Sequence, residues 1–213
     1  MALRINVGCG ITPTPGWINL DNSPSVRLAS WRPLADVLVR TPLLPAQQRT
    51  FVSEAMAQQI RFASATRLPF EDGSVEVVYS SHMLEHLPQP GARQFLREAY
   101  RVLMPGGVIR LALPDLRRLA RAYLDHGDAD AFVAGTYLAP TPSTGRGLAL
   151  LDALRSERHH QWMYDGCSLT KALTANGFQD ARVLGPGETT IAAPGDLDLA
   201  ERADESVYAE ARR

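Results

Sequence analysis

The sequence has a single lysine, Lys171, among its 22 basic residues. Chemistry that needs a Schiff-base lysine anywhere else in the chain is therefore excluded. Positive charge is not in surplus either, because the formal net charge is −1. Nucleic-acid binding draws on clustered surplus Lys and Arg, so we expect no nucleic-acid partner.

Cysteine and long apolar runs are also scarce. The two cysteines, Cys9 and Cys167, lie far apart and in no metal-ligand spacing, which favours a reducing compartment over a disulfide framework. No window reaches the ~18 apolar residues of a membrane span, and the opening residues lack the pattern of a secretion signal. We therefore expect a cytoplasmic protein without a membrane span.

The chain opens with two strand-like segments. Residues 3–7 form a short apolar run that ends at Gly8-Cys9-Gly10, and residues 17–20 form a second run closed by turn formers. A parallel crossover normally takes about a dozen residues, but residues 11–16 supply six, two of them proline. We therefore predict a shortened first crossover without its usual helix.

Later segments alternate between strand and helix patterns, within a length of 213 residues that fits one α/β domain over residues 1–213. Further strands are predicted over residues 61–63, 75–79, 108–113, 181–184 and 206–210. Helices are predicted over residues 45–59, 90–104, 116–126, 129–138, 148–157 and 168–176. We expect the helix over 90–104 to stop at Pro105-Gly106-Gly107, and Ser168 to be the N-cap of the last helix. Residues 116–165 would form a helical insertion after the fifth strand, which we expect to act as an acceptor lid.

Two features at the ends of the first two strands predict a nucleoside site. Gly8 and Gly10 let the backbone approach a ligand closely with exposed N–H groups. Asp21 is placed to accept the ribose hydroxyls of a nucleoside. Each feature has an ordinary alternative, since Gly-x-Gly also forms plain tight turns and Asp21 can be a solvated turn residue.

Residues 63–115, which include "SSHMLEHLPQPG" and "EAYRVLMPGG", resemble the middle of a class I methyltransferase. With "INVGCG" and "WINLD" the resemblance covers roughly half the chain, and it is closest to small predicted methyltransferases associated with surface-polysaccharide biosynthesis. That group shares the short first crossover and an "HQWMYD"-like segment, here residues 160–165. The resemblance implies a Rossmann-like, mostly parallel seven-stranded sheet with helices on both faces. It also implies S-adenosylmethionine as the donor, S-adenosylhomocysteine as the product, and O-methylation of a sugar, glycan or small-molecule acceptor.

The resemblance also implies which residues hold the donor. They are Val7, Gly8, Cys9, Gly10, Asp21, Asn22, Ser64, Ala65, Thr66, Ser80, Ser81 and His82. The sequence departs from the usual motif twice, because Thr12-Pro13 replaces its third glycine and Ser64 stands where an aspartate often meets the adenine. A serine hydrogen-bonds without charge assistance, so we expect a lower donor affinity.

The catalytic candidates are His160, His82, Tyr164 and Asp115. A histidine with a pKa near ~6.5 suits the removal of a proton from a sugar hydroxyl, whereas a carboxylate acceptor needs no base. Tyr164 lies with His160 in a segment rich in polar and aromatic groups that is typical of an acceptor wall. Asp115 follows a strand end, where ligands bind in open α/β sheets, but it equally suits the positive end of a helix dipole.

Residues 82–86 spell H-x-x-E-H, the inverted zinc-protease signature. That function requires a helix carrying both histidines, and Pro88 leaves little room for one. We therefore predict no metal site, and expect His82 to face the donor while Glu85 and His86 stabilise a turn.

Two other functions remain open. A nicotinamide oxidoreductase shares the glycine turn and the acidic strand end, but the third glycine and the Tyr-x-x-x-Lys pair of short-chain dehydrogenases are absent here. A donor-binding protein that has lost catalysis and serves as a partner subunit fits the same motifs. The sequence is also compatible with a homodimer.

Overall fold

The computed structural model describes residues 2–138 and 159–213, and within them a central sheet has seven strands in the order β3-β2-β1-β4-β5-β7-β6. The strands are β1 (Leu3–Val7), β2 (Ile18–Asp21), β3 (Arg61–Phe62), β4 (Val75–Ser81), β5 (Leu103–Pro114), β6 (Gln179–Leu184) and β7 (Ser206–Arg212). Strands β1 to β5 pair in parallel, whereas β7 is antiparallel to both β5 and β6. The predicted Rossmann-like, mostly parallel seven-stranded α/β fold is confirmed.

The described helices are α1 (Pro24–Ala29), α2 (Arg32–Val39), α3 (Ala46–Ala57), α4 (Gln89–Val102), α5 (Leu116–His126), α6 (Ala129–Thr136) and α7 (Gly166–Ala175), with a 3₁₀ turn at Leu84–His86. The predictions for α3, α5 and α6 are confirmed within two residues at each end. The sequence did not predict α1 and α2. The helix predicted over residues 148–157 lies outside the described residues.

Two predicted helix-end signals, the stop at Pro105-Gly106-Gly107 and the N-cap Ser168, are wrong. Helix α4 ends at Val102, and Pro105-Gly106-Gly107 belongs to β5, because a bulge between the pairs Val75–Leu103 and Val77–Val108 takes up the extra residues. The N-cap of α7 is Asp165, whose side chain accepts from the Ser168 backbone N–H at 2.7 Å. Ser168 instead completes a capping box from inside the first turn, since its hydroxyl accepts from the Asp165 N–H.

The first crossover contains no helix in residues 8–17, all of which the structure describes. Two buried asparagines organise this loop instead. Asn6 donates to the Thr14 hydroxyl at 3.1 Å, while the Asn19 side chain accepts from Thr14 N–H at 2.8 Å and donates to Thr14 O at 3.0 Å. The Asn19 side chain therefore pairs the backbone N–H and C=O groups of Thr14, in place of the hydrogen bonds of a helix. The predicted shortened crossover is confirmed.

Helices α4 and α7 pack on one face of the sheet, where they build the main core with residues such as Phe95 and Leu169. On the other face of β4 and β5, an irregular segment over residues 185–205 lies against the sheet through Ile191 and Leu197. A buried ion pair holds this segment. Arg110 and Glu210 meet at 2.7 Å with side chains 0% and 1% exposed, and Arg110 also donates to the backbone carbonyls of residues 188 and 199.

Candidate active site

A cavity of about 990 Å³ opens where β1, β2, β4 and β5 reach their carboxyl ends. Its size lies at the upper end of the range of about 300–1,000 Å³ for ligand pockets, and its place is where open α/β sheets bind ligands. Of the predicted site residues, those that line it are Gly8, Gly10, Asp21, Asn22, His82, Asp115 and His160. The structure thus brings together residues that lie up to about 150 positions apart in the sequence.

The glycine turn at one end of the cavity depends on Gly8. Its φ is +75°, and a Cβ built there would lie 2.3 Å from Cγ of Met83. The N–H groups of Gly8 and Cys9 donate to Leu20 O at 2.8 and 3.1 Å. The turn therefore offers a ligand close backbone approach, while these N–H groups hold the turn against β2 rather than pointing into the cavity as expected.

Asp21 lies beside this turn at the end of β2. Its carboxylate accepts from the N–H of Gly10 at 3.2 Å and from the N–H of Ser23 at 2.7 Å. Each carboxylate oxygen has two lone pairs, so both oxygens can accept a further hydrogen bond. A carboxylate fixed in this way at a cavity wall fits the two hydroxyls of a ribose.

Exchange of Gly8 for alanine should destabilise the fold by about 2–3 kcal/mol, through the left-handed φ and the overlap with Met83. Gly10→Ala is the matched control, because its φ is +54° and a Cβ there meets nothing within 4 Å. Urea denaturation of both variants measures the difference. Equal free energies of unfolding would show that Met83 does not constrain the turn.

Four other predicted cofactor residues lie around the ends of β1 and β4 but do not line the cavity. Val7 is buried in the main core, and the Ser80 hydroxyl donates to Val7 O at 2.8 Å. The Ser81 hydroxyl is buried without a hydrogen-bond partner among the described residues. Cys9 packs its side chain among α1, α2 and α3, where burial, and next the charge of Asp21, raises the pKa of the thiol to about 12.

The segment predicted to flank the adenine forms a turn after β3. The hydroxyls of Ser64 and Thr66 are 2.9 Å apart, and Ser64 Oγ also accepts from Thr66 N–H at 3.3 Å. Ala65 is buried in the main core. None of the three lines the cavity, so their role toward adenine stays a prediction.

His82 follows β4 and enters the cavity with a left-handed backbone, φ +47°. Both ring nitrogens are engaged. Nδ1 accepts from the Arg202 guanidinium at 3.3 Å, so Nε2 carries the proton and donates to the Ser206 hydroxyl at 2.9 Å. Burial, and next the positive charge of Arg202, lowers the pKa of His82 to about 3, so the ring is neutral at physiological pH.

Glu85 lies in the 3₁₀ turn behind His82, with a side chain only 1% exposed. Burial raises the pKa of its carboxyl to about 8. Its backbone carbonyl accepts from Gln161 N–H at 2.6 Å and from Trp162 N–H at 3.2 Å. These bonds fix the "HQWMYD" segment against the turn and bring His160 next to Glu85.

His160 and His86 have the same ring arrangement. Nδ1 of His160 lies 2.8 Å from Thr136 O, and Nδ1 of His86 lies 3.3 Å from His159 O. A carbonyl only accepts, so each Nδ1 carries the proton and each Nε2 is the unprotonated nitrogen. Burial lowers the pKa of His160, which favours this neutral form.

The two remaining catalytic candidates differ in position. Asp115 lines the cavity and is also the N-cap of α5, where its carboxylate accepts from Arg117 N–H at 2.9 Å. Tyr164 pairs its backbone with Asp115 in a parallel bridge. Its side chain is buried outside the cavity lining, and burial, and next the charge of Glu85, raises the pKa of the phenol to about 12.

Several lining residues carried no signal in the sequence. Met83 and Phe51 add apolar wall, while Arg118 crosses from α5 to donate to Ala203 O at 2.6 Å. Arg202 and Glu205 come from the irregular segment, which has no periodicity from which to place it.

Comparison with known proteins was consistent with a methyltransferase fold. Residues 40–111 match the family described as "Methyltransferase domain". Methyltransferase GfsG of Streptomyces halstedii is 32% identical over 150 residues, which are 70% of this chain and 48% of that protein. The chain thus spans about half the length of this curated relative.

Solved structures extend the likeness over the whole chain. A S-adenosylmethionine-dependent methyltransferase from Methanosarcina mazei is 18% identical with a TM-score of 0.53, over 100% of this chain and 92% of that one. A complex of the Haloferax volcanii Trm112 methyltransferase activator with a putative methyltransferase gives 15% identity and a TM-score of 0.53, over 99% and 81% of the two chains. The predicted resemblance to a methyltransferase domain is supported by the match over residues 40–111, and the solved structures share the fold. Among the described residues, no helix is both long and apolar enough to span a membrane.

Proposed function

We propose that this chain is a class I S-adenosylmethionine-dependent methyltransferase that methylates an oxygen of a sugar, a glycan or another small molecule, a proposal that the matches to methyltransferases support. One observation carries the proposal. A single cavity is lined both by the glycine turn and Asp21 and by His82, His86 and His160. The first group fits a nucleoside, and the second group offers imidazoles to a hydroxyl.

When bound, the donor supplies a methyl group whose bond to sulfur breaks, with its electrons passing to sulfur, as the acceptor oxygen forms the new bond. The task of the protein is to hold the reacting atoms in line at about 3–3.5 Å. Asp21 would hold the ribose, and the Gly8 turn would let the donor lie close to the backbone. Ser64, Ala65 and Thr66 are proposed to flank the adenine.

The acceptor end of the cavity would position the hydroxyl. Nε2 of His160 is the unprotonated nitrogen and His160 lines the cavity, so it is suited to accept the hydrogen bond of that hydroxyl. Both nitrogens of His82 are occupied, so His82 is assigned a positioning role. Asp115 is placed as a wall of the acceptor site, with Tyr164 packed behind it.

The described parts of residues 116–165 support their proposed role as the acceptor lid within a single domain over residues 1–213. The side of the cavity that they form consists of Arg118, Leu119, Ala122, Gly135, Tyr137, His159 and His160. This wall comes largely from helices α5 and α6 and is separate in the chain from the strand ends that would hold the donor. We therefore assign acceptor choice to these helices.

The wider proposal is a cytoplasmic enzyme that acts in surface-polysaccharide biosynthesis as a homodimer. The free thiols of Cys9 and Cys167 support a reducing compartment. Light scattering of the purified protein measures its molar mass and tests whether it is a homodimer.

The test of the proposed function is transfer of an isotope-labelled methyl group to a panel of sugars, glycans and small hydroxy acids. We expect label on an acceptor oxygen, and bound donor or product in the mass spectrum of the purified protein. Bound S-adenosylhomocysteine without transfer to any hydroxyl or carboxyl would instead support the inactive partner subunit. A bound nicotinamide dinucleotide would support the oxidoreductase.

A further inference from the structure

Glu85 is a buried carboxyl group that the proposed methyl transfer does not use. Its side chain is 1% exposed, and neither of its oxygens has a hydrogen-bond partner in the described part of the chain. Leaving a buried carboxyl unpaired costs free energy, so such a group points to a ligand or a bound proton.

Imidazoles surround this carboxyl group. Oε1 of Glu85 lies 3.9 Å from Nε2 of His160, 4.0 Å from Nε2 of His86 and 3.5 Å from Nδ1 of His82. The rings of His86 and His160 also meet edge to face, with centroids 5.1 Å apart. Three nitrogen atoms therefore converge on one carboxylate oxygen at the inner wall of the cavity.

The ring orientations distinguish two of these imidazoles from the third. In His86 and His160 the protonated Nδ1 faces a backbone carbonyl, and the unprotonated Nε2 faces Glu85. Metal-binding histidines have this arrangement, since a second-shell carbonyl fixes the tautomer and orients the ring. His82 does not, because its Nδ1 already accepts from Arg202.

We propose that Glu85, His86 and His160 bind a divalent transition-metal cation. One possible ligand atom from each of the three residues lies within 4.8 Å of the other two. In a tetrahedral zinc site with bonds of 2.0–2.1 Å, ligand atoms are about 3.3 Å apart. The observed 3.9 and 4.0 Å from the carboxylate oxygen to the two nitrogens are longer than this, so binding would draw the three side chains together around the cation.

The ligand set selects the class of cation. Two imidazoles and one carboxylate suit Zn²⁺ or Fe²⁺, whereas Mg²⁺ and Ca²⁺ prefer oxygen ligands. Three protein ligands leave at least one coordination position open, as in catalytic rather than structural sites. His86 and His160 line the cavity, so the open position faces the space proposed for the acceptor.

The catalytic use of this site rests on the proposed methyl transfer, whereas cation binding does not. An acceptor hydroxyl in the open position would lose its proton to water, and its oxygen would keep the electron pair that bonds to the methyl carbon. The cation, rather than the His160 ring itself, would then meet the acceptor oxygen. The nearby positive charge of Arg202 opposes cation binding, but Glu205 lies 3.4 Å from it and offsets that charge.

The site departs from the sequence-based expectation of no metal. That expectation held that residues 82–86 leave too little room for a helix that presents both histidines, and the structure does have a 3₁₀ turn there rather than an α-helix. The third ligand comes from residue 160, which the bonds from Gln161 and Trp162 to Glu85 O hold in place. The H-x-x-E-H motif of residues 82–86 and the "HQWMYD" segment of residues 160–165 would thus contribute to one metal site.

Calorimetric titration of the metal-free protein with Zn²⁺ tests the proposal, with Co²⁺ as a spectroscopic probe and Mg²⁺ as a comparison. We expect one Zn²⁺ per chain, a visible Co²⁺ absorption band, and weaker Mg²⁺ binding. Glu85→Gln keeps the side-chain size and should weaken Zn²⁺ binding by more than the ~10- to 100-fold that loss of an outer-shell partner costs. His126→Gln, on the exposed end of α5, is the matched control and should bind Zn²⁺ unchanged.

A second variant, His160→Gln, keeps the proposal testable if Glu85→Gln does not fold. Circular dichroism shows whether each variant is folded. Absence of stoichiometric Zn²⁺ binding by the parent protein overturns the proposal, as does unchanged affinity in both folded variants. S-adenosylmethionine affinity is measured in the same samples. In the parent protein, donor binding without metal binding contradicts only the cation site, whereas metal binding without donor binding contradicts only the proposed function.

Discussion

Replacement of Asp21 by alanine is expected to lower the affinity for S-adenosylmethionine by roughly 10²- to 10³-fold. A hydrogen bond to a charged group is worth about 1.5–3 kcal/mol, and the carboxylate would accept from two ribose hydroxyls. Loss of about 3–4 kcal/mol corresponds to that change in the dissociation constant. Calorimetry with the donor measures it.

The Asp21 carboxylate also accepts from the backbone N–H groups of Gly10 and Ser23, so the fold of the variant must be checked by thermal unfolding. Asp21→Asn keeps the volume and one acceptor oxygen, and should lie between the parent and Asp21→Ala. Asp36→Ala, at an exposed position of α2, is the control for removing a negative charge and should leave the affinity unchanged. Donor affinity equal to that of the parent in folded Asp21→Ala would show that Asp21 does not hold the ribose.

Exchange of Arg110 for methionine should reduce the free energy of unfolding by about 3–5 kcal/mol, because it leaves the Glu210 carboxylate buried without its charged partner. The expected loss includes the two hydrogen bonds from Arg110 to the carbonyls of Glu188 and Leu199. Urea denaturation measures the effect. Since those carbonyls anchor the segment that carries Arg202 and Glu205, limited proteolysis should also cut residues 185–205 faster.

Arg97→Met on the exposed face of α4 is the control, since surface substitutions usually change stability by less than ~0.5 kcal/mol. If Arg110→Met and Arg97→Met unfold at the same urea concentration, the ion pair does not stabilise the segment over residues 185–205. A large loss of unfolding free energy in Arg110→Met with an unchanged rate of proteolysis would show that the ion pair stabilises the sheet but not the segment over residues 185–205.

The sequence predicted the elements whose signals are local. Strands β1 and β4 are apolar or β-branched runs bounded by turn formers, and α5 ends at Gly127 in the left-handed conformation that a glycine favours. Boundaries that depend on tertiary pairing were missed. Pro105-Gly106-Gly107 is a strong stop signal in isolation, yet pairing with β4 draws it into β5 as a bulge.

The candidate site likewise contains residues with a local sequence signal and residues whose position depends on tertiary structure. Gly8, Asp21 and Asp115 line the cavity because each lies at or just after the end of a strand, and parallel strands end at the same edge of the sheet. The carboxyl group of Glu85 was assigned to a turn, since nothing in residues 82–86 shows that a segment some 75 residues later covers it. The sequence did not predict Arg202 as a site residue, because it lies in an irregular segment without a periodicity that fixes its position.

A structure of the protein with S-adenosylhomocysteine tests the central claim most directly. We predict the ribose hydroxyls within hydrogen-bond distance of the Asp21 carboxylate, the Gly8 turn in contact with the ligand, and the sulfur directed toward His82 and His160. A ligand bound outside this cavity, or a ribose that does not contact Asp21, would contradict the proposed donor site.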